Sequence, residues 1–146
     1  MPLFSDNALV PYLAGLFDGE GCIFIDKSSS NKAAKTPQYQ LKCVVSMSEL
    51  APLELLHNRF GGALRAETKI RFNRKLMYVW SVVANDTKDF LETLRPYLVV
   101  KATECWLALE YLEQKTDTVP RKFGTPIEEV ALREGFRLAL QGIKHG

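Results

Sequence analysis

The chain has few of the residues that build disulfide or zinc scaffolds. Its 146 residues include three cysteines with no paired spacing, which argues against a disulfide framework and favours a reducing compartment. The two histidines are far apart in the sequence, so no zinc site is predicted. The apolar N-terminus lacks a basic leader and contains a proline, so neither a signal peptide nor a membrane span is expected. We therefore expect one soluble, intracellular domain over residues 1–146.

There is also little net charge, but the charge is unevenly distributed. The formal net charge is only +2, which is low for a protein that binds nucleic acid. Residues 21–85, however, hold ten Lys and Arg against four Asp and Glu, whereas the rest of the chain has an acidic excess. This asymmetry indicates a basic face suited to a phosphate backbone, although scattered solvated lysines would give the same count.

The most informative segment reads LAGLFDGEG and spans residues 13–21. Ala14 and Gly15 leave one face of the predicted helix almost bare, which allows a second helix to approach closely. Asp18 and Glu20 follow where the helix ends, and carboxylates are unfavourable at that end of the helix dipole. A bound metal ion would reverse the penalty; the alternative is an ordinary glycine C-cap.

This segment resembles the signature of the LAGLIDADG homing endonucleases, with Gly19 replacing the second alanine. The resemblance implies an α+β fold: an αββαββα core whose saddle-shaped antiparallel sheet lies on DNA, with an additional C-terminal helix. It implies that Glu20, with the Gly19 carbonyl beside it, binds divalent metal. Because the motif occurs once, it also implies a homodimer. The expected dimer-interface residues are Leu13, Ala14, Gly15, Phe17 and Asp18.

Alternation predicts two strands, over 22–27 and 38–46, joined by a long polar loop. One parity is apolar and should face the core: Ile23, Ile25, Tyr39, Leu41, Cys43 and Val45. The other parity should face DNA: Phe24, Asp26, Ser28, Gln38, Gln40, Lys42 and Val44. Three residues of the loop are further candidates for DNA contact: Ser30, Lys32 and Lys35.

A second strand pair is predicted at 63–71 and 75–82, after a helix over 49–60. Tyr78 and Trp80 share parity with apolar neighbours and are expected in the core, with base stacking as the alternative. The candidates for base contact across both strand pairs are Gln38, Gln40, Lys42, Arg65, Glu67 and Lys69. The other DNA-binding candidates, which include the expected phosphate contacts, are Arg71, Arg74, Lys75, Met77, Lys115, Arg121 and Lys122.

Further helices are predicted at 87–94, 102–114 and 126–142. Residues 96–101 resemble the family's stretch that places a basic residue beside the catalytic waters, which makes Lys101 the candidate for stabilising the transition state. The alternative is a lysine at a helix N-terminus with no role in catalysis. Where relatives often carry a polar amide, this chain has Met47, so either a hydroxyl of Ser46 or Ser48 substitutes for the amide or the water network is held differently.

The resemblance implies metal-dependent hydrolysis of both DNA strands at a long, near-palindromic site, leaving 3′ overhangs. Mg²⁺ is the expected cofactor; Mn²⁺ is expected to substitute, and Ca²⁺ to bind without supporting cleavage. The target would be archaeal, bacterial or organellar genomic DNA, with the gene carried by an intron. Two alternatives are an RNA maturase acting on its host intron and a non-catalytic DNA-binding module of the same fold.

Overall fold

A computed structural model describes residues 5–28, 36–67, 75–116 and 124–145. The elements are α1 (Asp6–Glu20), β1 (Gly21–Ser28), β2 (Gln38–Met47), α2 (Leu50–Phe60), β3 (Ala63–Ala66), β4 (Tyr78–Val83), α3 (Asp86–Leu94), a 3₁₀ turn (Arg95–Tyr97), α4 (Ala102–Gln114) and α5 (Ile127–His145). This order confirms the predicted α+β class and the αββαββα core with an added C-terminal helix. No helix in these ranges is both long and apolar enough to cross a membrane.

The strands form one antiparallel sheet in the order β1-β2-β4-β3. Ile23, Cys43 and Val82 are register partners and are all buried, so they belong to the face that packs on the helices, called the inner face below. Phe24 and its partner Lys42 belong to the opposite, outer face and are half-buried. The predicted separation of core and solvent parities in β1 and β2 is therefore confirmed.

Phe90 of α3 joins three elements in the core. Its ring centroid lies 5.0 Å from that of Phe17 in α1, 4.9 Å from that of Phe60 in α2 and 5.0 Å from that of Trp80 in β4. The contacts with Phe17 and Phe60 are edge-to-face, a favourable geometry for aromatic rings. Trp80 is fully buried, which confirms its predicted place in the core.

Two consecutive glycines redirect the chain between α2 and β3. Gly61 and Gly62 have φ values of +74° and +81°, a region that favours glycine. A Cβ on Gly62 would lie 2.4 Å from the Ser81 carbonyl oxygen, so the strand could not approach with a larger residue there. Trp80 Nε1 donates a hydrogen bond of 2.8 Å to the Gly61 carbonyl. The turn thereby fixes β3 beside β4.

Helix α1 begins earlier than predicted. The Ser5 carbonyl accepts the N–H groups of Ala8 and Leu9, both at 3.0 Å, so the first turn forms before Pro11. Because proline is tolerated in the first turn of a helix, the sequence predicts a start near Ala8, but Pro11 lies inside the helix and the observed start at Asp6 corrects that expectation. For α4 the predicted bounds are the observed ones, whereas the predicted strand from 63 to 71 is described only to Ala66, with Glu67 still bonded to the Met77 carbonyl.

Candidate functional site

The C-terminal end of α1 presents two oxygen ligands. Glu20 and Gly19 are both exposed, and α1 ends there with the Gly21 N–H bonded to the Phe17 carbonyl. A carboxylate and a backbone carbonyl are hard donors that suit Mg²⁺ or Ca²⁺, and a cation is favoured at the negative end of a helix dipole. The described residues contain no group of three or more His, Cys, Asp or Glu able to hold a metal. The Glu20 carboxylate and the Gly19 carbonyl fit a divalent metal by the chemistry of their oxygens.

Asp18 connects this end of α1 to the start of α4. Its carboxylate accepts three backbone N–H groups, from Val99 at 2.8 Å, Val100 at 3.2 Å and Lys101 at 2.9 Å. Partial burial raises the pKa of Asp18, but these hydrogen bonds and the positive charge of Lys101 lower it, and the net pKa is below its ordinary value. Asp18 thus remains ionised and supplies the acceptors that the start of α4 lacks locally.

Lys101 lies at the same end of the molecule. Its side chain is buried, its Nζ donates a hydrogen bond of 2.7 Å to the Asp18 carbonyl oxygen, and it lies 5.9 Å from the Phe17 ring centroid. The ammonium group therefore lies against the last turn of α1, two residues before Glu20. The structure brings Lys101 to the motif, as the sequence suggested, while its part in catalysis stays a prediction.

Sequence reasoning missed the bond between Asp18 and the start of α4, because the partners are more than 80 residues apart. One signal was available. The N-cap position of α4 is Lys101, which forms no side-chain cap, and no Ser, Thr, Asp or Asn stands at positions 98–101. The N–H groups at such a start need an acceptor from elsewhere in the chain.

The structure corrects the expected dimer interface on α1. Leu13, Ala14 and Phe17 are fully buried in the core of their own chain, so they cannot contact a second one. Gly15 and Gly19 are exposed, and a Cβ built on either meets no atom within 4 Å. With 3.6 residues per turn, these two glycines share the helix face opposite the core. The exposed surface without side chains on α1 is therefore formed by Gly15 and Gly19.

Serine side chains flank the end of β2 that pairs with the start of β1, where Gly21 opposes Val45. Met47 is half-buried and packs against the core. Ser46 has the outer parity, since it pairs with Val79, and Ser48 follows the strand half-buried. A role for Ser48 in catalysis stays a prediction.

The outer face of the sheet carries the predicted reading residues. Ser28, Gln38 and Gln40 are exposed, as are Arg65, Glu67 and Lys75 on the second strand pair. Asp26, Val44 and Met77 are half-buried, and Lys42 Nζ forms an ion pair of 3.3 Å with Asp26. Val79 lies at the centre of this face and is only 8% exposed.

Other predicted DNA-binding residues have different positions. Lys115 directly follows α4, in the helical layer, with its N–H bonded to the Tyr111 carbonyl. The rest lie outside the described residues, and their contacts stay predictions: Ser30, Lys32, Lys35, Lys69, Arg71, Arg74, Arg121 and Lys122.

Comparisons with known proteins agree with this geometry. A family model described as LAGLIDADG endonuclease matches residues 13–103. The homing endonuclease I-CvuI, in complex with the I-CreI target, has 21% sequence identity and a TM-score of 0.69, over 96% of this chain and 92% of that chain. An archaeal intron-encoded homing endonuclease, I-Vdi141I complexed with DNA, has 13% identity and a TM-score of 0.61, over 92% and 99%.

A third similar structure is longer. The LAGLIDADG homing endonuclease I-GzeII, in complex with a DNA target, has 14% identity and a TM-score of 0.63, over 90% of this chain but only 43% of that chain. I-CvuI was also solved with its own target in the presence of Ca, and its complex with the I-CreI target was solved in the presence of Mg with the DNA not cleaved. No match was found among curated proteins. These likenesses establish the fold.

Proposed function

Because this chain belongs to the LAGLIDADG endonuclease family, we propose that two copies of it form a metal-dependent homing endonuclease that cuts both strands of DNA. The observation that carries the proposal is the end of α1. There an exposed Glu20 lies close in sequence to Asp18, which holds the buried ammonium of Lys101 through its backbone carbonyl. A carboxylate and a cation at one solvent-accessible helix end suit the hydrolysis of a phosphodiester.

Three features support a homodimer. Each chain offers one exposed motif carboxylate, Glu20, because that of Asp18 is bonded to the start of α4, and metal-assisted cleavage of two strands needs more ligands. Gly15 and Gly19 leave space for a second helix on the exposed face of α1. The chain also spans 92% of I-CvuI but 43% of I-GzeII, as expected of one half of a two-part unit. A two-fold dimer would read a near-palindromic site.

In the proposed mechanism, Glu20 and the Gly19 carbonyl from each chain would hold the divalent ions, with Mg²⁺ as the physiological metal. When bound, the metal supplies an activated water and neutralises phosphate charge. Lys101, held by the Asp18 carbonyl, presents a fixed positive charge to the phosphate as negative charge develops there. A hydroxyl of Ser46 or Ser48 would orient solvent at the same end, and the cuts would leave 3′ overhangs.

The outer face of the sheet would lie in the major groove. Gln38 and Gln40 are exposed there and suit adenine, while Arg65 suits guanine. Lys42 is paired with Asp26, so it would read a base only in company with that carboxylate. The half-buried apolar side chains of Val44 and Met77 would favour contact with thymine methyl groups.

The test is to incubate the protein and Mg²⁺ with a library of near-palindromic duplexes and to sequence the cut ends. We expect paired cuts with 3′ overhangs at one family of symmetric sites. Glu20→Gln should abolish cleavage and leave specific binding within a few-fold, because it removes the ligand charge and little shape. Glu92→Gln, an exposed carboxylate on α3, is the matched control and should cut normally.

Two outcomes would contradict the proposal: full cleavage by Glu20→Gln, or sedimentation of the wild-type protein as a monomer both free and on DNA. Specific binding without any cleavage by the wild type would favour the non-catalytic module. The retention of Glu20 and Lys101 argues against that reading. For the maturase alternative, the basic pair Arg121 and Lys122 lies outside the described residues.

A further inference from the structure

A polar cluster joins α5 to the ends of β1 and β2. The Glu134 carboxylate accepts a hydrogen bond of 2.6 Å from the Tyr39 hydroxyl. The same oxygen lies 3.2 Å from Lys27 Nζ, and Arg137 donates to both carboxylate oxygens. Lys27 Nζ also lies 5.8 Å from the Tyr39 ring centroid, close enough for a cation–π contact. One carboxylate of α5 therefore bonds both strands at once.

The two strand residues in this cluster are direct partners in the sheet. Lys27 opposes Tyr39, and both belong to the inner parity. The neighbouring pairs on either side, Asp26 with Gln40 and Ser28 with Gln38, have the outer parity. Because successive side chains of a strand point to opposite faces, fixing the inner pair fixes the backbone from which the outer side chains project.

The electrostatics keep this connection in one protonation state. Hydrogen bonds from Arg137 and Tyr39, with a further one from Lys27, lower the pKa of Glu134 to about 2 against the opposing effect of burial. Burial and the bond to Glu134 raise the pKa of Tyr39 to about 12. The carboxylate is thus charged and the phenol protonated throughout the physiological range, which makes their hydrogen bond a charge-assisted one.

A second contact joins the same parts of the molecule. The Thr125 N–H, two residues before α5, donates a hydrogen bond of 3.1 Å to the Thr36 hydroxyl, two residues before β2. The segment leading into α5 therefore also contacts the chain just before the outward-facing Gln38. Both contacts lie behind the end of the sheet whose outer face carries Asp26, Ser28, Gln38 and Gln40.

We propose that Glu134 is a positioning residue for DNA recognition, which sets base preference through Lys27 and Tyr39 without contacting DNA. This rests on the proposed function, because it assumes that Ser28, Gln38 and Gln40 read bases. The carboxylate acts from the side of the sheet opposite to the DNA. Its loss should therefore change which bases are preferred more than it changes the chemical step.

The experiment compares Glu134→Gln with Glu129→Gln in the full-length protein. Glu129 is the matched control, since it belongs to the same helix, forms an ion pair of 3.0 Å with Arg133 and accepts the Thr116 N–H at 2.8 Å, so both described partners lie in the helical layer. For each variant, cleaved sites are selected from a randomised duplex library, and single-turnover cleavage of the preferred site is measured at saturating protein.

Glu134→Gln should reduce the preference at the base pairs beneath this end of the sheet by about tenfold, the equivalent of one good base contact. The rate on the preferred site should change by less than about twofold, because Glu20 and Lys101 belong to the other end of the strands. Glu129→Gln should leave the profile unchanged. An unchanged profile for Glu134→Gln, or equal relaxation by both variants, would overturn the proposal.

A readout without DNA separates this proposal from the proposed function. Hydrogen exchange of the backbone amides of residues 25–28 and 38–41 should be faster in Glu134→Gln than in Glu129→Gln. Equal exchange in the two variants would refute the positioning role whatever the protein does with DNA. If exchange is instead faster in Glu134→Gln while the wild-type protein neither binds nor cuts DNA, that result would refute the proposed function and the recognition role that rests on it.

Tyr39→Phe keeps the buried ring and removes only the hydroxyl, so it should fold even if Glu134→Gln does not. It should reproduce part of the relaxed preference. Because Tyr39 and Glu134 act through one hydrogen bond, the double variant should relax preference less than the product of the two single effects. Fully multiplicative effects would show that Glu134 acts by another route and would contradict the proposal.

Discussion

Lys101 donates two hydrogen bonds to Asp18, one from its backbone and one from its side chain. The Asp18 carboxylate accepts the backbone N–H of Lys101 at 2.9 Å, and the Asp18 carbonyl accepts Lys101 Nζ at 2.7 Å. These hydrogen bonds hold the last turn of the motif helix against the first turn of α4. Glu20 comes two residues after Asp18, so the proposed metal ligand and the proposed catalytic cation, Lys101, are both positioned by the last turn of α1.

The first prediction concerns the hydrogen bonds between the Asp18 carboxylate and the start of α4. Asp18→Asn should lower the free energy of unfolding by about 1–3 kcal/mol at neutral pH, because the amide NH₂ would face N–H donors and leave some unsatisfied. Urea unfolding measures it. Asp18 has a lowered pKa, so its stabilisation is present above the ordinary value of 3.8 and is lost as the pH falls further. The difference from wild type should therefore shrink in acid.

The control for this prediction is Asp86→Asn. Asp86 is an exposed carboxylate in the first turn of α3, where it interacts favourably with the helix dipole. Its loss should cost less than about 1 kcal/mol. If Asp18→Asn is no less stable than Asp86→Asn, the three hydrogen bonds do not contribute as inferred here.

Local pattern predicted most of the fold. The bounds of α4 and the alternation of Ile23, Ile25, Leu41 and Cys43 need only the helical and strand periods, and the structure agrees with both. The bond from Asp18 to residues 99–101 and the bond from Tyr39 to Glu134 were not predictable in this way. They join positions that only the tertiary fold brings together.

The residues of the sequence signature are not the same as the residues on the exposed face of α1. Leu13, Ala14 and Phe17 are part of the recognisable signature, as is Gly15, yet the first three face the chain's own core. Eight of the nine signature residues lie in α1, where they cover a little over two turns and so include every side of the helix. Which side meets the core depends on where the sheet lies, and the motif alone does not contain that information.

The second prediction uses this face. Gly15→Val should leave the isolated chain folded, since a Cβ at Gly15 meets nothing within 4 Å, but it should separate the two copies and abolish cleavage. Gly135→Val is the matched control, because Gly135 is also an exposed helical glycine with open space around it. Analytical ultracentrifugation should find a dimer for the control and a monomer for Gly15→Val. Dimers in both would place the interface elsewhere.

The third prediction concerns acid stability. The pKa of Glu134 is about 2 in the folded chain against 4.5 ordinarily, so its stabilisation is present above about pH 4.5 and is lost as the pH falls towards 2. Thermal unfolding of the wild type and Glu134→Gln should therefore differ most at pH 6, and the difference should shrink as the pH falls from about 4.5 to about 2. A constant difference across this range would mean that the carboxylate charge is not what stabilises the cluster.

The last prediction separates reading from holding. Arg65 is exposed on the outer face of β3, opposite Val79, and is aimed at base edges in the proposed complex, whereas Lys115 follows α4 in the helical layer and suits a phosphate. Arg65→Ala should cost about 1–3 kcal/mol of discrimination at one position in each half-site, symmetrically, because a homodimer repeats every contact. Lys115→Ala should weaken binding to all sequences alike and reduce the salt slope by about one.

Site selection at two salt concentrations measures both. Uniform weakening by Arg65→Ala, or an altered base preference from Lys115→Ala, would show that the outer face of the sheet is not the reading surface.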